Sequence, residues 1–285
     1  MKKVTIQGVN GCYHEVAARS FFCGEQIGVE PCATFPKLFE TMAADKSLLG
    51  IAAIENTIAG SLLQNHELLS ESNLSIIGEQ KIRISHVVAV LPGQSIEQIS
   101  EVHSHPIALM QCREWLAKHP SIKAVESDDT AESAKLIAEQ QLEGHAAICG
   151  AWAAELYGLE IIDRAIETNR HNFTRFLILS DKESAATYTC PEKINKASIQ
   201  FSLAHSTGSL SKILTILSFY DINLTKIQSL PVIGREWEYL FYVDLTFDNY
   251  ERYHQSIDAV RPLITEFKIL GEYAEAPSPQ INIAE

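Results

Sequence analysis

The stretch NFTRFLIL, residues 172–179, reads as a core strand with an unusual entrance. Phe176, Leu177, Ile178 and Leu179 form the unbroken apolar run of a strand buried on both faces. Directly before it stand Thr174 and Arg175, a hydroxyl and a fixed cation. Such a pair is either a chain end meeting water or the wall of a pocket that holds an anion beside a hydroxyl. The surrounding pattern bears on which.

Upstream, short apolar runs alternate with segments of helical spacing. VTIQG (4–8), GIAAIEN (50–56), IRISHVVAVL (82–91) and AAICG (146–150) read as strands. Between them HEVAARSFF (14–22) puts Val16, Ala17, Ser20 and Phe21 on one helical face, and PKLFETMAA (36–44) and TAESAKLIAEQQ (130–141) behave likewise. The alternation predicts an α/β layered fold with a largely parallel sheet, whose ligands collect in loops beyond the strand ends.

The polar, aperiodic segment 180–198 reads as a linker. Beyond it the order changes: strand SIQFSLA (198–204), helix GSLSKILTILSFY (208–220), strand INLTKIQSLPVI (222–233), a turn at GREWEY (234–239), strand YLFYVDLTF (239–247), helix YERYHQSIDAVRPLI (250–264) and strand EFKILGEY (266–273). That is β-α-β-β-α-β, the ferredoxin-like order. The expected division is 1–180, a linker 181–197, a second unit 198–274 and a frayed tail 275–285.

A net charge of −13 argues against nucleic acid or an anionic membrane as partner, though not against a small anion held by local groups. No apolar run approaches the ~18 residues that span a bilayer, and the N-terminal apolar stretch is too short for a signal peptide. The six cysteines show no CxxC pair, which predicts buried free thiols in a reducing cytoplasm.

Polar loops follow the predicted strands. In GVNGCYHE (8–15) Gly8 and Gly11 bracket a turn into a helix, where backbone N–H groups can approach an anion. In IENTIAGSLLQNHELL (54–69), Glu55, Asn56 and Thr57 end a strand and Gly60 and Ser61 open a helix, with Ser61 as N-cap. In HSHPIALMQC (103–112), His103 and His105 alternate in a way that suits a metal, but with no third ligand evident no metal is expected. Pro106 is expected to start a helix, and Asp129 and Thr130 to cap one at Ala131. There is no Walker loop, no full GxGxxG and no nucleophile–base pair. Orientation, hydrogen bonding and charge stabilisation remain as the chemistry.

GVNGCYHEVAA (8–18), IENTIAGSL (54–62), HPIALMQC (105–112), DTAESA (129–134), AAELYGL (153–159) and NFTRF occur here in the order of one family. Over residues 3 to 274 the chain resembles monofunctional prephenate dehydratases with a C-terminal ACT regulatory domain. The resemblance implies decarboxylating dehydration of prephenate to phenylpyruvate in phenylalanine biosynthesis, without cofactor or metal. It also implies a two-subdomain, type II periplasmic-binding-protein-like catalytic region, here expected to stand without a chorismate mutase segment.

By the same resemblance the key hydroxyl is Thr174. A neutral hydroxyl is a poor full proton donor, so Glu55 in protonated form is the alternative acid. Asn56 and Thr57 assist. Arg175 is expected to grip the pyruvyl carboxylate, and N–H groups near Gly11 or Ser61 the other. Asn172 and Phe176 complete the wall, with the ring carboxylate in a drier place near Phe176. Cys12 stands where the family carries Ser or Thr. Phenylalanine is expected at Gly208, Ser209, Leu210 and Asn223, and at Gln228, Ser229 and Leu230, where the family's Glu and Arg are lost. A homodimer or homotetramer is implied. Arogenate dehydratase, and a non-catalytic amino-acid-sensing binding protein, are the competing readings.

Overall fold

The computed structural model describes residues 1–203, 206–232 and 238–277. The first lobe is laid down as β1 (Lys2–Gln7), α1 (Tyr13–Phe21), β2 (Ile27–Cys32), α2 (Phe35–Ala44), β3 (Leu49–Asn56), β4 (Gly60–Ser61), α3 (Leu63–Glu71) and β5 (Leu74–Arg83). The chain then crosses into a second lobe: β6 (His86–Val90), β7 (Glu101–Ser104), α4 (Pro106–Gln111), α5 (Arg113–Lys118), β8 (Lys123–Glu126), α6 (Thr130–Gln140), β9 (His145–Gly150), α7 (Ala151–Leu156) and β10 (Glu160–Arg164). It returns through β11 (Phe173–Asp181). A last unit follows: β12 (Lys196–Leu203), α8 (Ser209–Phe219), β13 (Asn223–Pro231), β14 (Tyr239–Thr246), α9 (Tyr250–Val260) and β15 (Thr265–Tyr273).

The expected largely parallel sheet is corrected to two mixed ones. In the first, ordered β2-β1-β3-β11-β5, β1 runs parallel to β2 and β3, whereas β11 lies antiparallel between β3 and β5. In the second, ordered β10-β6-β9-β7-β8, β7 is parallel to β8 and β9, and β6 is antiparallel to β9 and β10. The chain leaves the first lobe from β5 and re-enters it through β11 at the same end, so those two strands must oppose each other. This two-lobed layout with a returning strand is the periplasmic-binding-protein-like arrangement. It sets residues 172–176 at the junction of the lobes.

The unbroken apolar run of β11 follows from covering both faces. Phe176 and Ile178 pack with Val4, Ile51 and Ala17 of the first lobe. Leu177 and Leu179 pack with Leu230, Tyr242 and Leu270 of the last unit. That unit is an antiparallel sheet ordered β13-β14-β12-β15, the ferredoxin-like arrangement. Its helices bury Ile213, Leu217, Tyr253 and Ile257 against Ile199, Phe201 and Val243. The opposite face lies on the first lobe so closely that a Cβ on Gly271 would come 2.2 Å from the Ile76 carbonyl oxygen. Any side chain at position 271 would push the units apart.

The boundaries shift slightly from expectation. β12 begins at Lys196 rather than Ser198. Residues 275 and 276 are docked rather than frayed: Glu275 N–H donates to Asn195 Oδ1 at 2.7 Å, its carboxylate meets Lys81 at 3.1 Å, and Ala276 N–H donates to Glu79 at 3.1 Å. The rest of the expected tail (278–285) and residues 234–237 of the expected turn lie outside the described residues. Ser61 is not an N-cap. It pairs with Glu55 in β4, and α3 starts two residues later behind Leu62.

Candidate active site

A cavity of about 330 Å³ opens between the lobes, within the roughly 300–1,000 Å³ range of small-molecule sites. Tyr13, His14, Asn56, Thr174 and Phe176 line it from the first lobe, and His86, His105, Gln111 and Thr130 from the second. Its walls are mainly apolar. Phe35, Phe176 and His14 form one face, with the His14 ring edge-on to both phenylalanines at 5.5 and 5.0 Å.

Thr174 sits opposite Asn56 in the β3–β11 ladder, just before a bulge between Arg175 and Phe176. Bulges of this kind re-aim side chains beside functional sites. The Asn56 amide is fully committed. Its Nδ2 donates to Thr174 Oγ1 at 2.9 Å, Asn172 Oδ1 at 2.7 Å and the Phe173 carbonyl at 3.2 Å. Its Oδ1 accepts from Ile58 and Ala59 N–H, both at 2.9 Å. The consequence falls on Thr174. Its oxygen accepts from Asn56, and its own proton has no acceptor among the described residues, so the hydroxyl is set to donate into the cavity.

Two histidines of the wall, His14 and His86, are neutral. Burial drives His14 down to about 3, and its Nε2 accepts from Ala53 N–H at 3.4 Å, which places the ring proton on Nδ1. Burial also lowers His86. Its Nε2 lies 3.0 Å from Gln111 Oε1, an acceptor, and its buried Nδ1 has no partner among the described residues. Cys12 reaches the cavity as well, but burial first, and then Asp129, push its thiol up to about 12, so it is no nucleophile. Tyr13, also on the wall, donates its hydroxyl to the Ser85 carbonyl at 2.6 Å, tying α1 to the β5–β6 crossover.

No Lys or Arg stands among the described lining residues. The expected role of Arg175 is corrected here. Its side chain leaves β11 on the face opposite Thr174 and Phe176, away from the cavity. It donates to Glu79 at 2.6 Å, Glu55 at 3.2 Å, the Tyr273 hydroxyl at 3.0 Å and Asp244. Lys226 binds Glu55 at 2.6 Å and Lys196 binds Glu79 at 3.0 Å, so three cations balance three carboxylates across the boundary between the first lobe and the last unit.

Glu55 is corrected with it. Burial acts to raise its carboxyl, but Arg175 and Lys226 outweigh burial and hold it below the usual range, so it is an anion and not the proton donor. Asp244 is treated the same way: burial opposes, and Arg175 prevails. A carboxyl depressed in the folded state contributes stability above its unfolded pKa and loses it as pH falls through the folded value. The ordinary values are 4.5 for Glu55 and 3.8 for Asp244. The urea midpoint should therefore drop as pH falls below about 4, and Asp244→Asn should flatten that slope. An unchanged slope would assign the acid limb to other carboxylates.

Other expected contacts also lie off the cavity. Gly11 adopts φ +93°, and its N–H is taken by Glu15 Oε2 at 2.7 Å. Thr57 staples the strand entrance: its Oγ1 donates to the His171 carbonyl at 3.2 Å and accepts from Phe173 N–H at 3.0 Å. Asn172 stands fully buried behind Asn56, and Ser61 lies in β4. Of the expected residues, Thr174, Asn56 and Phe176 reach the cavity. Reading the sequence missed Tyr13, His14, His86 and Gln111. HEVAA was legible only as a helix face, and nothing local marks a histidine as facing a ligand.

The first turn of α1 enters the wall with no side-chain cap on Cys12. A helix N-terminus there favours an anion. At α6 the corresponding position is filled by Asp129, which accepts from Ala131 and Glu132 N–H at 2.7 and 3.1 Å.

The prephenate dehydratase family model matches residues 4–184. Arogenate dehydratase/prephenate dehydratase 2 of Arabidopsis thaliana, a chloroplastic protein, is 34% identical over 281 residues, covering 95% of this chain and 72% of its own length. Among solved structures, prephenate dehydratase from Arthrobacter aurescens in complex with L-Phe superposes with a TM-score of 0.84 at 26% identity, covering 98% of this chain and 92% of that one. GqqA, described as a novel type of quorum quenching acylase, superposes with a TM-score of 0.86 at 28% identity over 96% and 98% of the two chains.

Proposed function

The chain belongs to the prephenate dehydratase family, and on that premise we propose how its cavity takes water and carbon dioxide from prephenate to leave phenylpyruvate. The ring is primed, because loss of both groups makes it aromatic. What it needs is help for the departing hydroxyl. Thr174 gives that help as a hydrogen-bond donor, and the observation that carries the reading is the Asn56 amide locked onto the acceptor side of its oxygen. The donor is thus oriented before substrate arrives and is worth most as charge builds on the leaving oxygen.

The ring lies against His14, Phe35 and Phe176, a dry wall that does not pair with the ring carboxylate. Leaving that group unpaired favours its loss as carbon dioxide. The pyruvyl carboxylate is held by the first turn of α1 instead of by Arg175. An acyl-transfer reading finds no support here: among the described residues neither Thr174 nor Cys12 is hydrogen-bonded to a histidine ring. Arogenate, which has an amino group in place of the keto oxygen, is the second substrate to weigh, because the Arabidopsis relative carries both names.

The ferredoxin-like unit serves as a phenylalanine-sensing ACT domain. Gly208, in the left-handed region at φ +78°, leads into α8 with Ser209 and Leu210. Asn223 opens the edge strand β13 and donates to Thr246 at 3.3 Å. On the same strand Gln228 Nε2 donates to the Ser229 carbonyl at 3.1 Å, and Leu230 packs into the boundary with the first lobe. That edge offers a second copy a pairing surface, in a homodimer or homotetramer. The L-Phe complex of the Arthrobacter relative supports the sensing role. Six free thiols fit a reducing cytoplasm, and among the described residues no helix is long and apolar enough to cross a membrane.

The test is phenylpyruvate formation from prephenate, with and without phenylalanine and with arogenate in parallel. Turnover of prephenate carries the reading, and preference for arogenate moves it to the second substrate. Turnover of neither would sink it. Phenylalanine at millimolar concentration should raise the melting temperature, and no shift would remove the effector.

A further inference from the structure

We propose that Glu101, His103 and His145 form a site for a divalent first-row metal ion, zinc(II) in the first place, on the second lobe away from the cavity. The sequence offers His103 and His105 as a pair with no third ligand. Folding breaks that pair and makes another. His105 caps α4, its Nδ1 accepting from Ile107 N–H at 3.2 Å, and lines the cavity. His103 meets a histidine 42 residues further along the chain.

The strands determine this meeting. β7 and β9 are parallel neighbours with Glu101 directly opposite His145. Side chains two apart on a strand share a face, so Glu101 and His103 project together toward the first residue of β9. His103 Nε2 lies 2.9 Å from His145 Nδ1, and Glu101 Oε2 lies 3.5 and 3.7 Å from those two nitrogens.

A tetrahedral ion with ligands at ~2.0–2.1 Å spaces neighbouring donor atoms by roughly 3.3–3.4 Å. The three observed edges bracket that spacing, so an ion would settle among them with small side-chain movements. Lys123 on β8 holds the other carboxylate oxygen, Oε1, at 3.0 Å, which leaves Oε2 facing the imidazoles. Such outer contacts orient ligands in metal sites. Two imidazoles and one carboxylate suit zinc, and the three ligands leave a fourth position for water. Bound there, the ion would tie the starts of β7 and β9 together, whereas the cavity lies beyond the far end of β7.

The experiment uses the full chain stripped with a chelator, then titrated with zinc chloride by calorimetry and thermal melting. We expect one equivalent of zinc per chain and a melting temperature that climbs with free zinc. Cobalt(II) should give the intense visible bands of a four-coordinate ion. His103→Ala, His145→Ala and Glu101→Gln should each weaken zinc by more than the ~10–100-fold that loss of an outer contact costs. Metal-free melting of each variant reports whether it folds, and Glu101→Gln, which keeps the side chain's shape, retains the test if an alanine variant does not. Uptake should survive Cys23→Ser with Cys190→Ser, the two exposed thiols. No uptake, uptake undiminished in the ligand variants, or uptake lost with the cysteines would each overturn the site.

Discussion

Thr174→Ala should lower kcat by about two to three orders of magnitude while KM stays within a few-fold, the loss reported for a single preorganised donor at a developing oxyanion. Thr174 is nearly buried and its oxygen is held by Asn56 Nδ2 at 2.9 Å, so the donor spends no orientation entropy during reaction. Thr174→Ser keeps the hydroxyl and should retain most of the rate. Asn56→Ala should fall between the two, because it releases the hydroxyl to rotate without removing it. Steady-state kinetics across prephenate concentration, with a melting curve for each variant, separate the outcomes. A Thr174→Ala enzyme with normal kcat and raised KM would make Thr174 a binding residue and end the proposal.

Arg175→Ala should cost about 3–5 kcal/mol of stability, because it strands carboxylates that folding has buried. Glu79 is fully buried and Asp244 nearly so, and both depend on the guanidinium. Arg175→Lys should rescue little: one ammonium cannot reach Glu55, Glu79, Asp244 and the Tyr273 hydroxyl from one position, whereas the planar fork does. The measurement is urea unfolding beside kinetics. If Arg175 held substrate, the variants would show raised KM at normal stability. The cluster instead predicts a lowered midpoint and a nearly normal KM in the molecules that remain folded. Asp244 and Tyr273 belong to the last unit, so the cluster joins that unit to the residue beside Thr174. Arg175→Lys should therefore also blunt any phenylalanine response of kcat.

The two variants divide NFTRF between its neighbours. Adjacent residues of one strand point to opposite faces, so Thr174 and Arg175 serve different tasks although they are one bond apart. The sequence placed both at the mouth of a core strand and read them as parts of one pocket. Period-2 geometry rules that out unless the strand is broken between them. The bulge here falls one residue later, after Arg175.

The sequence by itself determined the layers. Apolar runs and helical faces placed most of the strands and helices, although the run 82–91, which reads as one strand, is divided into the end of β5, a crossover at 84–85 and β6. The β-α-β-β-α-β order of the last unit followed from the same periods, and the family motifs named the chemistry. These are local signals, carried within some ten residues. Only the tertiary structure decided which partners those residues meet. The antiparallel return of β11, the wall of neutral histidines at 14 and 86, the Arg175 cluster and the meeting of His103 with His145 all join segments far apart in the chain. Contacts of that range leave no periodic trace. They follow from which faces of the sheets are covered, and by what, once all three units have packed.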